Sequence, residues 1–190
     1  MKRRSKRRIS LIISLFVVAV AALGQQFGWF DTVAEKAEQT QPGRYRVSRF
    51  IDGDTIAVDM HGTKETIRMI GVDTPETHKP GAPVQCYGPA AAAYTKNIIG
   101  EQTVRLEADP TNQNRDRYNR LLRYVYLPDG RLVQQEIIKN GYGFAYTLFP
   151  FEKTEQFIAE EQAAKTASKG LWSNCTVSEE KGRKQTNDAQ

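Results

Sequence analysis

Apolar and polar positions alternate from Thr55 to Met60, with Ile56, Val58 and Met60 on one side. A period of two predicts a half-buried strand. Arg44 to Phe50 predicts an earlier strand, and Asp52-Gly53-Asp54 between the two is a turn signal. His61-Gly62 turns the chain again, and Glu65 to Val72 predicts a third strand. Two hairpins in succession imply an antiparallel meander. Thr103 to Ala108 and Arg120 to Leu127 predict a fourth and a fifth strand, the last closed by Pro128-Asp129-Gly130.

Helical spacing appears in three places. Pro89 suits a first turn, Ala90, Ala93, Tyr94, Asn97 and Ile98 follow, and Gly100 ends the run. Leu132 to Asn140 carries Val133, Ile137 and Ile138 on one side and stops at Gly141. Glu152 to Lys169 has acids early and Lys165 and Lys169 late, as the helix dipole favours. Leu171-Trp172 is placed to fold back onto the core. Tyr142 to Phe149 is apolar and aromatic without a clear period. Residues 77–88 hold Pro80, Gly81, Pro83 and Gly88 and predict a long surface loop, a lid beside a site. The pattern predicts an α+β fold, a small closed five-stranded Greek-key barrel with three packed helices.

Charge divides the chain. Residues 1–40 hold seven Lys/Arg and three Asp/Glu, the remainder twenty and nineteen. The folded part is therefore close to neutral, which excludes a surface built to coat nucleic acid. Six cations between Lys2 and Arg8 precede an apolar run from Ile9 to Leu23, the pattern of an export segment. The run of 15 residues is short of the roughly 20 that span a bilayer. Phe27, Trp29 and Phe30 extend it, so a cleaved signal peptide and a retained anchor through residues 9–30 both stay open. In either case the domain is exported, secreted or anchored with its bulk outside the cytoplasm.

The expected organisation is a signal peptide or anchor over 1–30, a polar linker over 31–43, a domain over 44–175, and a disordered polar tail over 176–190. The domain is expected to be a monomer. Cys86 and Cys175 are an even pair, and an oxidising compartment permits a disulfide between them; two buried free thiols are the alternative.

Three charged clusters stand at predicted strand ends: Asp52-Gly53-Asp54-Thr55; Arg68 with Asp73, Thr74 and Glu76; and Asp116-Arg117-Tyr118-Asn119-Arg120, backed by Arg115 and Arg123. Each alone has an ordinary reading as a turn, a strand end or a solvated loop. Together they suggest more. Carboxylates suit a hard cation and guanidinium forks suit a phosphate, so the combination fits metal-assisted chemistry on a phosphate ester. No His-Cys constellation suited to zinc is present.

Ile51-Asp52-Gly53-Asp54-Thr55, Arg68 through Val72-Asp73-Thr74-Pro75-Glu76-Thr77, Tyr87-Gly88-Pro89, Asp116-Arg117-Tyr118-Asn119-Arg120 and the closing Leu171-Trp172-Ser173 occur in order. In this the chain resembles the staphylococcal nuclease (thermonuclease) family over roughly residues 44–173. The resemblance implies an OB-fold barrel with three helices and a Ca2+-dependent nuclease cutting DNA and RNA to 3′-phosphate and 5′-hydroxyl ends. Carried over by motif, Asp54 and Asp73 would bind the metal by their carboxylates and Thr74 by its carbonyl. Glu76 would be the general base, and Arg68 and Arg120 would grip the scissile phosphate. Arg117, Tyr118 and Tyr146 would contact the nucleotide. Asn119 stands where the family usually has glycine, Arg117 replaces a lysine, and Leu148 or Phe149 replaces a second tyrosine. A non-catalytic nucleic-acid- or protein-binding module tethered to the membrane, and a tethered structural protein, are the competing functions. The retained acids and arginines disfavour the first.

Overall fold

Strand β1 (Tyr45–Asp52) pairs antiparallel with β2 (Thr55–Met60), and β2 with β3 (Thr63–Met69), in the two expected hairpins. This is a computed structural model, and it describes residues 43–77, 81 and 83–189. The expected export segment, the linker before Gly43, and His78 lie outside the described residues. Among the described residues no helix is long and apolar enough to cross a membrane.

The barrel closes in the order β1-β2-β3-β6-β5, using β5 (Thr103–Glu107) and β6 (Leu121–Tyr126). Its β3–β6 seam is parallel, with Arg68 opposite Leu122. The meander expectation therefore holds for the first three strands only. Ile56, Val58, Ile67, Val104, Leu106, Leu121 and Val125 are fully enclosed and fill the interior. Three helices pack outside: α1 (Gly88–Ile99), α2 (Val133–Lys139) and α3 (Thr154–Thr166). A single turn, α4 (Leu171–Asn174), follows α3, where buried Leu171 and the edge-on pair of Trp172 with Phe144 fold the chain back.

The third predicted strand does not run unbroken to Val72. Gly71 takes φ 73°, and the chain restarts as β4 (Val72–Asp73), paired with β7 (Phe144–Ala145). That small sheet resolves the ambiguous Tyr142–Phe149 stretch and carries Asp73.

Residues 176–190 are the main correction. Instead of a disordered tail, β8 (Val177–Glu180) and β9 (Arg183–Thr186) form an antiparallel hairpin. Asn187, Asp188 and Ala189 then bond to the 84–86 segment: the Cys86 amide donates to the Asn187 carbonyl at 2.7 Å and the Ala189 amide to the Val84 carbonyl at 2.7 Å. A disulfide joins Cys86 to Cys175 at the hairpin's root. Composition missed this element because covalent, ionic and backbone links hold it, with little apolar burial.

Candidate active site

Asp54 opens β2 from the β1–β2 turn and is 6% exposed. Its Oδ2 accepts the Thr74 amide at 3.0 Å and the Thr74 hydroxyl at 3.3 Å, and its Oδ1 accepts the Thr55 hydroxyl at 2.8 Å. The turn itself is fastened from outside. Thr95, fully buried on α1, donates its hydroxyl to the Gly53 carbonyl at 2.6 Å.

Asp73, 4% exposed, faces Asp54 from β4. Arg68 bridges the two acids: Nη1 lies 3.0 Å from Asp54 Oδ2 and Nη2 donates to Asp73 Oδ1 at 2.9 Å. Nη1 also donates to the Val72 carbonyl at 2.7 Å. A guanidinium tied to β4 in this way is held rigidly, and it offsets part of the cost of burying two like charges. Burial still pushes the Asp73 carboxyl above its usual range. Arg68 opposes that, the nearby Asp54 charge adds to it, and Arg183 opposes it in turn.

Glu76 stands three residues on, held by its backbone. Its amide donates to Gln85 Oε1 at 2.8 Å, and the Gln85 amide returns a bond to the Glu76 carbonyl at 2.9 Å. The start of α1 crowds the same segment: a Cβ on Gly88 would stand 2.8 Å from the Glu76 carbonyl oxygen. Only glycine fits there without moving the turn. Asp52 lies beside Glu76. Burial first, then the charge of Asp54 and the contact with Glu76, raise the Asp52 carboxyl to about 7, against opposing bonds from the Gly53 amide and the Thr77 hydroxyl.

Arg120 enters from the loop before β6. Its Nε donates to Asp116 Oδ2 at 2.7 Å, and the Asp116 carboxylate also accepts the Arg120 and Tyr118 amides. Asn119 takes φ 62°, the left-handed geometry asparagine tolerates. Tyr118 is 65% exposed, with the Arg117 guanidinium 4.8 Å and the Arg120 guanidinium 5.4 Å from its ring centre. Tyr146 lies 6.0 Å from the Arg68 guanidinium. Two members of the third cluster serve the fold instead. Arg123 is fully buried, bonding the Leu122 and Asn114 carbonyls, and Arg115 grips Glu65 at 2.9 Å. His61, in the β2–β3 turn, lies edge-on against Tyr45.

One open groove of about 1160 Å³ collects all nine non-cysteine candidates, from Asp54 and Asp73 at its floor to Tyr118 at its rim. Three residues in or behind the groove have no role in the sequence pattern: Asp52, a member of the first charged cluster with no chemistry of its own assigned, Thr95, which no motif singles out, and Arg183, which falls in the expected disordered tail.

The donors fit a hard cation. Asp54 and Asp73 offer carboxylate oxygens, and the groove they line with Thr74 is open to water and a phosphate oxygen, an all-oxygen set suited to Ca2+ or Mg2+. Among the described residues no group of three or more His, Cys, Asp and Glu side chains gathers for a metal. The protein would therefore supply only part of the coordination.

Residues 66–174 match the family model described as staphylococcal nuclease homologue. A thermonuclease of Staphylococcus hyicus is 40% identical over 175 residues, covering 88% of this chain and 99% of that protein. A thermonuclease of Staphylococcus intermedius is 40% identical over 164 residues, covering 86% and 95%. Endonuclease YncB of Bacillus subtilis is 43% identical over 129 residues, covering 67% of this chain and 60% of that protein.

Proposed function

This chain belongs to the staphylococcal nuclease family and is a nuclease, a phosphodiester hydrolase; from that premise we propose that it is an exported, Ca2+-dependent enzyme acting on DNA and RNA. The observation that carries the reading is the pair of buried carboxylates, Asp54 and Asp73, facing one another across Arg68 on the floor of an open groove. Two acids so placed are costly unless a cation serves them.

Asp54, Asp73 and the Thr74 carbonyl would hold the ion. When bound, it would neutralise charge on the phosphate and help place water. Glu76 accepts the proton of the attacking water as its oxygen bonds to phosphorus. The bond from phosphorus to the 5′-oxygen breaks on the opposite side, that oxygen takes a proton from solvent water, and the products carry 3′-phosphate and 5′-hydroxyl ends. Arg68 and Arg120 donate to the equatorial oxygens, where charge grows; planar forks match two oxygens at once, which an ammonium does not. Arg117, Tyr118 and Tyr146 line the path of the adjacent nucleotide. The basic, apolar N-terminus supports export, and a Cys86–Cys175 disulfide suits an oxidising compartment.

The test incubates the purified full chain with plasmid DNA, single-stranded DNA and RNA, in Ca2+, in Mg2+ and in EGTA, and identifies the product ends. Cutting that requires Ca2+ and leaves 3′-phosphates supports the proposal. Equal cutting in EGTA overturns the metal requirement, and binding without cutting overturns the activity.

A further inference from the structure

The groove's most unusual occupant comes from the C-terminal hairpin. Arg183, the first residue of β9, donates Nε to Asp73 Oδ2 at 2.8 Å and Nη2 to Asp73 Oδ1 at 3.2 Å. With Arg68 on Oδ1 as well, Asp73 accepts three charge-assisted bonds, and its Oδ2 faces Arg183. A guanidinium fork occupies the outward-facing lone pairs of the carboxylate and puts a positive charge within about 3 Å of any cation that would bind there, so the two cations compete for one acid. The more loosely held of the two arginines is the one such an ion displaces.

The two arginines differ in how they are held. Arg68 sits inside the barrel wall, its side chain 14% exposed, and is tied to the Val72 carbonyl. Arg183 is 48% exposed and rides on a two-stranded ribbon. Such a ribbon has little stability of its own. It is moored at its ends by the Cys86–Cys175 disulfide and by the Thr186 hydroxyl on the Cys86 carbonyl at 2.8 Å. Along its length it is moored by Lys184 on Glu161 at 2.6 Å. At the tip, Gly182 packs against Leu148, where a Cβ would stand 2.8 Å from the Leu148 side chain. The Arg183–Asp73 pair is itself one of the ribbon's links to the barrel, so releasing it loosens β8 and β9 while the hairpin's root stays in place.

Resting on the metal-site reading above, we propose that Arg183 is a built-in competitor for the divalent ion at Asp73, so that the C-terminal hairpin holds the site shut until Ca2+ displaces it. The guanidinium caps the acid in the ion-free protein and raises the Ca2+ concentration at which the site fills. Release of Arg183 also opens the groove beside Tyr146, on the path the nucleotide takes.

The test is Ca2+ titration by calorimetry at fixed ionic strength, without nucleotide, on the full chain and on Arg183→Gln and Lys181→Gln. Removing the competitor should tighten Ca2+ binding by on the order of tenfold, the scale of one charge-assisted pair discounted for its half exposure. Lys181→Gln removes the same charge two residues away, from a side chain that is 91% exposed and moors nothing, and should change the dissociation constant less than about twofold. In wild type, saturating Ca2+ should also speed hydrogen exchange of amides 177–186. Unchanged or weaker binding in Arg183→Gln overturns the inference. Equal tightening in both variants reduces it to a general field effect and overturns it too, as do hairpin amides that keep full protection in Ca2+. If wild type and variants alike take up no Ca2+, the metal-site reading itself falls.

Discussion

Thr95 on α1 donates its hydroxyl to the Gly53 carbonyl at 2.6 Å, although 42 residues separate them in the chain. That bond fixes the β1–β2 turn against the helix and so sets where Asp54 points. Thr95→Val keeps the shape and leaves a buried carbonyl unpaired. The expected loss is about 1–3 kcal/mol of stability, read from urea midpoints. Ca2+ affinity should fall as well, because the turn is free to relax. A variant with wild-type stability and wild-type Ca2+ affinity would show that Thr95 is not a positioning residue.

The three groups assigned to chemistry make separable predictions. Glu76→Gln keeps size and hydrogen bonding but cannot take a proton, so kcat should fall by roughly 10²–10⁴ with Ca2+ binding retained. Arg68→Lys and Arg120→Lys keep charge but lose the fork, and each should cost on the order of 3–4 kcal/mol of transition-state stabilisation. Single-turnover cleavage of a short oligonucleotide at saturating Ca2+ reads all three. Near wild-type turnover in any one removes that residue from the mechanism.

How far the chain revealed this in advance differs by element. The barrel strands were legible because one face of each is buried, which writes a period of two into residues such as Ile56 and Val58. The helices announced themselves through Pro89, Gly100 and Gly141. Three features were not legible. The parallel seam of β3 on β6 joins Ile67 to Leu121 across a distant stretch of chain, and no local pattern encodes it. The β4–β7 pair is only two residues long on each side, below any period. Apart from Val177 the strands of the β8–β9 hairpin are polar; its order rests on a disulfide, on Arg183 and on Lys184, which a composition of charged residues disguises. The acids and arginines of the site could be read from their motifs, whereas their anchors, Thr95 and Gln85, could not.

The disulfide closes a long loop, its two cysteines lying 89 positions apart in the chain. In the chain-entropy model this contributes up to about 4–5 kcal/mol, and measured values are often smaller. It also ties the 84–86 segment, which carries Gln85 beneath Glu76, to the root of the hairpin. Cys86→Ser with Cys175→Ser should therefore lower Tm by several degrees and loosen the hairpin, seen as faster exchange of amides 177–186. Unchanged Tm would mean that the backbone pairing of 84–86 with 187–189 suffices.

Asp109 makes the stability of the fold depend on pH. It is 3% exposed, and burial alone would raise its pKa. Bonds from the Thr111 and Tyr124 hydroxyls and from the Glu152 and Thr111 amides outweigh that and hold the carboxyl below its ordinary value. A group whose pKa is lower in the folded state than in the unfolded one binds its proton less readily when folded. Its stabilisation is complete above the unfolded pKa of about 3.9 and is lost as pH falls through the folded value. Folding stability should therefore decline on acidification below about pH 4–5, and Asp109→Asn should flatten that part of the curve while lowering stability at pH 7 by about 1–3 kcal/mol. Tyr124 is the reciprocal case: burial and the Asp109 charge push its phenol far above the usual range, so it stays a donor through the alkaline region. Urea midpoints between pH 3 and 8 for wild type and Asp109→Asn check this. Parallel curves in acid would show that other carboxylates dominate the loss of stability.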